Sequence, residues 1–226
     1  AFSFLYRTYG KQKNTISAAL GSSVKKDLFY SRVRNYDTSL EAALFDDNVP
    51  VAVYDNLIDS VSSRLDALHR YMGLRKKALQ VDRLHMYDLY VPIVDDVEFT
   101  ISFEKAREMV AESLSPLGNK YMSALDRGFD EGWIDVFENK GKTSGAFSWG
   151  CYDTHPYVLL NYEGIIDHVF TLAHEMGHAM HTYFSNRKQP YPLSGYSIFV
   201  AEVASILNEA MLKDYLVSSI SDPDIR

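Results

Sequence analysis

The chain has 226 residues, 46% apolar and 23% charged, the balance of a soluble globular protein with enough apolar material for a substantial core. A net charge of −7 argues against a nucleic-acid partner, because such domains are usually basic. The single cysteine, Cys151, excludes an internal disulfide and points to a reducing cytoplasm, and no apolar run reaches the roughly 18 residues that a membrane span needs.

The N-terminal stretch AFSFLYRTYGKQ has too short an apolar run for a signal peptide. Without an initiator Met, the chain reads as an internal piece of a longer protein. Residues 2–20 are expected to be helical up to Gly21. Thr38 and Glu41 have the spacing of a capping box that starts a helix over SLEAALFDD. Pro50 suits a first turn, and Leu57, Val61, Leu65, Leu68 and Met72 then recur at helical spacing through residues 51–79. Residues 85–94, HMYDLYVPIV, are expected to be extended because of Pro92. Residues 103–125 are helical, with an interruption near Pro116 and Gly118. GWIDVFENKGKTSGAFSWG reads as strand or loop, and residues 157–162, YVLLNY, are the best strand candidate. Residues 164–184 form a helix, SNRKQPYPLSG a loop, and residues 197–216 a last long helix.

With an H-E-x-x-H run at residues 174–178, the expected fold is mainly α and zincin-like: a multi-helix array with a small β segment beside that histidine-bearing helix and a following glutamate-bearing helix. Residues 1–226 read as one mostly helical core, with a helical array over 1–138 and a metal-site segment over 139–226.

The chemistry lies in residues 171–184, TLAHEMGHAMHTYF. On a helix, residues four apart lie on one face about 5–6 Å apart, so His174 and His178 can point at one ion. Glu175 sits about 100° further round, near enough to act on a ligand of that ion without binding it. This H-E-x-x-H arrangement supplies two imidazoles for zinc and a carboxylate as general base. A hydrolytic zinc site also wants a third protein ligand and an open position for water. The metzincin pattern needs Gly at position 181 and His at 184, where this chain has His181 and Phe184. The third ligand is therefore expected on the following helix. Glu202 and Glu209 are the only glutamates after Glu175, and they share a face seven residues apart. Small neighbours Ala201, Ala204 and Ser205 allow a close helix approach at Glu202. Glu202 is expected as the ligand and Glu209 as the acceptor that orients a ligand imidazole.

The segment FTLAHEMGHAMHTYFSNRKQPYPLSGYSIFVAEVASILNEAM resembles the oligoendopeptidase F branch of the thimet oligopeptidase family of zinc metallopeptidases. GKTSGAFSWGCYDTHPYVLLNY and RLHMYDLYVPI are similar to that family too. The resemblance implies one zinc per chain on His174, His178 and Glu202, with Glu175 as catalytic base. It implies short peptides as substrates and a mostly helical, two-lobed body around a deep channel that excludes folded proteins. Family members run longer on both sides, and their C-terminal segment, rich in glycine and tyrosine and bearing a histidine, helps stabilise the oxyanion. No such segment follows Glu209 here. The function implied is hydrolysis of internal peptide bonds by a zinc-activated water. The alternative is a non-catalytic helical interaction module with a structural or vestigial metal site.

Within the chain, Tyr152, His155, Tyr157 and Tyr196 are the candidate oxyanion donors. The strand at residues 157–162, with Tyr157 and Leu159, is expected to take a peptide along its edge. His155, Tyr196 and His181 complete the candidate substrate contacts, although His181 is read first as a packed or hydrogen-bonded residue. Cys151 and His155 read as a free or structural thiol and its neighbour, not as a nucleophile pair. Asp167 and His168 cap or line the motif helix.

Overall fold

The computed structural model describes residues 2–93 and 100–219. The chain divides into two compact units, residues 1–96 and 97–226. Among the described residues, every buried apolar side chain but Leu44 belongs to the second.

In the first unit, helices α1 (Phe2–Lys11) and α2 (Lys13–Val33) meet at Gln12, and Gly21 is carried inside α2 instead of ending a helix. A glycine costs a helix about 1 kcal/mol, which a helix of 21 residues absorbs. Helix α3 (Ser39–Phe45) begins at Thr38, whose Oγ1 accepts the Glu41 N–H at 3.1 Å. The Glu41 carboxylate accepts the N–H of Asp37, also at 3.1 Å, so the capping box is offset by one residue. Residues 51–79 form two helices, not one: α4 (Val51–Ser62), with Pro50 as its N-cap, and α5 (Asp66–Ala78). At the break, the Ser63 hydroxyl donates to the Ser60 carbonyl at 2.9 Å, a local bond that competes with the helical ladder. Leu57, Val61, Leu65 and Leu68, spaced like a core stripe, are exposed.

A 3₁₀ turn, Met86–Tyr90, stands where an extended segment was expected, and Val94 lies outside the described residues. Pro92 fixes its own φ and restricts Val91, which is extended, and leaves residues 86–90 free to turn. Upstream, the Asp88 carboxylate accepts the His85 N–H at 2.7 Å. The buried Arg75 guanidinium donates to the carbonyls of Asp88 at 2.7 Å and Val91 at 2.6 Å, and to the Tyr71 hydroxyl at 3.2 Å.

The second unit starts with α6 (Phe103–Leu114), capped by Ser102, whose hydroxyl accepts the Lys105 N–H at 3.2 Å. A 3₁₀ turn at Ser115–Leu117 carries Pro116, and α7 (Asn119–Asp130) follows Gly118, the interruption expected there. Strands β1 (Ile134–Asp135), β2 (Phe147–Trp149) and β3 (Tyr157–Leu159) form a sheet in the order β1-β3-β2. β1 runs parallel and β2 antiparallel to β3. β3 is thus the central strand. Val158 and Leu160 donate to the Trp133 and Asp135 carbonyls, both at 2.8 Å, and β2 pairs on the other side. Of the residues 157–162 expected to offer a free edge, 157–159 form a strand paired on both flanks, which overturns peptide addition along that strand.

Gly164 then turns the chain into α8 (Ile166–Lys188). Its φ is +84°, its carbonyl accepts the Ile101 N–H at 2.8 Å, and a Cβ would lie 3.1 Å from the Ile101 oxygen. α8 buries Val169, Leu172, Ala173, Met176, Ala179 and Met180, a stripe of helical period, in the core with Trp133, Val158 and Leu160. A 3₁₀ turn at Tyr191–Leu193 leads to α9 (Ile198–Ser219), which buries Ala201, Ser205, Asn208, Leu212 and Leu216. The fold is mainly α, with a small sheet beside the H-E-x-x-H helix.

Replacing Arg75 by Ala strips the Val91 carbonyl of its donor and leaves the Asp88 carbonyl only the longer bond from the Val91 N–H, at 3.4 Å. The expected loss is about 1–3 kcal/mol for groups left unpaired, read as a lower thermal midpoint. Arg75→Lys recovers only part, because an ammonium lacks the planar fork.

Candidate metal centre

The centre is built where α8 and α9 touch. A Cβ on Gly177 would lie 2.6 Å from the Ser205 Cα and 2.9 Å from the Ala204 carbonyl oxygen. Glycine at 177 therefore lets the two backbones approach closer than any side chain allows. The buried Asn208 carboxamide holds the same junction: it donates to the Ala173 carbonyl of α8 and to the Tyr121 hydroxyl of α7, both at 3.1 Å.

That approach gathers three donor atoms. The His174 and His178 Nε2 atoms are 3.1 Å apart. The Glu202 Oε2 lies 3.4 Å from the first and 3.5 Å from the second. A tetrahedral ion with bonds of about 2.0–2.2 Å to nitrogen and oxygen sets its ligand atoms roughly 3.3 Å apart. The three observed separations bracket that value, and imidazole and carboxylate are the donor types such an ion takes. His174 Nδ1 lies 2.5 Å from Glu209 Oε1, a distance at which the ring donates to the carboxylate. With its proton on Nδ1, His174 presents a lone pair at Nε2. Burial pushes the His178 imidazole down from its ordinary pKa, with Glu202 and the Ala201 backbone opposing and His174 adding to the shift. A neutral ring is the form that ligates.

Glu175 faces differently. It is buried, 7% exposed, and its Oε2 has no hydrogen-bond partner among the described residues. Burial raises its carboxyl above the ordinary value, with His174 opposing and Glu202 adding. It lines a cavity of about 210 Å³ with Asp167, Phe170, Thr171, His174 and Glu209.

The remaining candidates are engaged in other ways. His181 stacks on Tyr196 at 3.7 Å with an interplanar angle of 12°, and its buried Nδ1 has no partner among the described residues, so it packs without hydrogen-bonding there. The Tyr196 hydroxyl pairs with Thr182 Oγ1 at 2.7 Å. Tyr152 spends its hydroxyl proton on the Gln189 carbonyl at 2.9 Å. His155 stacks on Trp133, and its Nδ1 is 2.7 Å from the Pro156 carbonyl, while Cys151 is an exposed free thiol. Tyr157 is exposed and Leu159 half-buried on the face of β3 opposite Val158. His168 Nδ1 accepts the Glu163 N–H at 2.9 Å, and Asp167 lines the cavity. Two contributors were missed from sequence: Asn208, and the hydroxyl of Ser205, which donates to Glu202 Oε2 at 2.8 Å. A serine three residues after a glutamate on one helix is a signal that spacing offers for the second.

The model of Peptidase family M3 matches residues 1–224. The chain is 48% identical over 222 residues to the oligopeptidase PepF of Bacillus subtilis, covering 98% of this chain and 33% of that protein. It is 44% identical over 225 residues to an oligoendopeptidase F homolog of Borreliella burgdorferi, covering 98% and 38%. The crystal structure of oligoendopeptidase-F from Enterococcus faecium matches with a TM-score of 0.64 and 34% identity, over 98% of this chain and 32% of that one. The chain thus spans about a third of the length of the curated relatives it matches.

Gly177→Ala sets two effects against each other. Helix propensity favours alanine by about 1 kcal/mol. The new methyl meets backbone, which cannot swing aside, and overpacking of that kind costs about 1–3 kcal/mol. The expected outcome is a lower thermal midpoint; a rise would show that the helices do not approach as described.

Proposed function

Because this chain belongs to peptidase family M3, we propose that it holds one zinc ion on His174, His178 and Glu202 and serves the hydrolysis of internal peptide bonds in short oligopeptides, with Glu175 as general base. The observation that carries this reading is the triangle of donor atoms at 3.1, 3.4 and 3.5 Å. When bound, zinc supplies Lewis acidity and brings the pKa of a coordinated water toward about 7. The chain's own residues do the rest. Glu209 keeps the His174 proton on Nδ1 and fixes the ring's direction. Glu175 takes a proton from the attacking water and returns it to the departing amine. Its burial suits that task, since a carboxyl raised toward the working pH both accepts and gives up protons readily. The names of the relatives support peptides as the substrate class. The unpaired, exposed Cys151 suits a reducing compartment such as the cytoplasm. Among the described residues no helix is long and apolar enough to cross a membrane.

Elemental analysis of the purified chain is expected to give about one zinc per molecule, together with chelator-sensitive cleavage of an internally quenched short peptide. Glu175→Gln should keep the metal and lose about 10²–10⁴-fold in rate, the worth of a general base. Absence of zinc uptake would reject the metal site; undiminished cleavage by the metal-loaded variant would reject the base.

The two α9 glutamates separate by affinity. Glu202→Ala should nearly eliminate zinc binding, whereas Glu209→Ala should weaken it about 10–100-fold, as the loss of a residue that orients a ligand does. Competition with a chelator measures both, and the opposite order would exchange their roles.

A further inference from the structure

We infer that Ser205 is a positioning residue for Glu202, holding its carboxylate in the orientation that completes the metal site; this rests on the metal reading above. Glu202 needs such help. Its side chain is 49% exposed, so water offers it many other orientations. Ser205, in contrast, is fully buried. A serine inside a helix ordinarily returns its proton to a carbonyl three or four residues back. Ser205 has that option at 3.1 Å from the Glu202 carbonyl, but the Glu202 Oε2 is nearer, at 2.8 Å.

The oxygen that Ser205 engages is the one that faces both imidazoles, 3.4 and 3.5 Å from their Nε2 atoms. A carboxylate oxygen has two in-plane lone pairs. One accepts the Ser205 proton, and the other is left toward the histidines. The hydroxyl itself has little freedom, because Ser205 sits at the tightest point between the helices, where even a methyl on Gly177 would strike its Cα. The contact that lets α8 and α9 meet therefore also aims the third donor.

The test compares wild-type chain, Ser205→Ala, Glu202→Ala and the double variant, with zinc affinity read by chelator competition and metal-free folding by circular dichroism. Ser205→Ala is expected to fold like the wild type and to bind zinc about 10–100-fold more weakly. With cobalt(II) in place of zinc, its visible absorption bands should shift, which a merely structural role would not produce. In the Glu202→Ala background, adding Ser205→Ala should change affinity no further, because the residue through which it acts is gone. Affinity within twofold of wild type with an unchanged cobalt spectrum would overturn the inference, as would an equal loss in both backgrounds. If the wild-type chain itself takes up no zinc, the metal site fails and the role of Ser205 fails with it; if the wild type binds and Ser205→Ala binds equally, only the role of Ser205 fails.

Discussion

Two helix backbones meet at a glycine, and the donor set depends on that meeting. His174 and His178 stand on α8, and the two carboxylates that face them, Glu202 and Glu209, stand on α9. Neither helix holds a complete set. The separation of the helices decides whether a carboxylate oxygen reaches the imidazoles, and that separation is set by a hydrogen at Gly177 against the backbone of Ala204 and Ser205. The Asn208 carboxamide then fixes the rotation of one helix on the other through the Ala173 carbonyl. Close packing behind α8 makes the geometry stiff, since Val169, Leu172, Ala173, Met176 and Met180 leave it no soft side to yield toward.

The charges in this junction oppose one another. Glu175, Glu202 and Glu209 surround two imidazoles, one of which burial holds toward its neutral form. Burial disfavours the ionised form of Glu175, Glu202 adds to that, and the buried Glu175 Oε2 has no hydrogen-bond partner among the described residues. The divalent cation proposed for this site would reverse the balance by drawing the carboxylates toward a common centre. Folding supplies the helix contact, and the proposed cation would compensate the charges that the contact brings together.

Much of this was legible in the sequence, and the residues show why. His174 and His178 four apart, and Glu202 and Glu209 seven apart, follow from helical periodicity alone, which survives any tertiary arrangement. The small residues around Glu202 made it the expected third donor, and its Oε2 is the oxygen that faces both imidazoles. Other features depend on partners distant in sequence. Asn208 has meaning only beside Ala173 and Tyr121, and Gly177 only against the backbone of Ala204 and Ser205. The turn at residues 86–90 is held by Arg75, which no local pattern reveals. Of residues 157–162, read as strand, 157–159 form one, but whether a strand is central or at an edge is a property of the sheet. The stripe Leu57, Val61, Leu65, Leu68 had core spacing without becoming core, because spacing says which residues share a face and not what covers it.

The uneven distribution of buried apolar groups has a kinetic consequence. In residues 2–93 only Leu44 is a buried apolar side chain, whereas α8 is wrapped by the core. Local opening follows contact density, so backbone amides in α1–α5 are expected to exchange with solvent deuterium through small, frequent openings, and those of α8 only through the rarest ones. A protease meeting this chain in its native state would accordingly cut first in the amino-terminal helices. The residues that hold the donors sit in the part of the molecule that opens last.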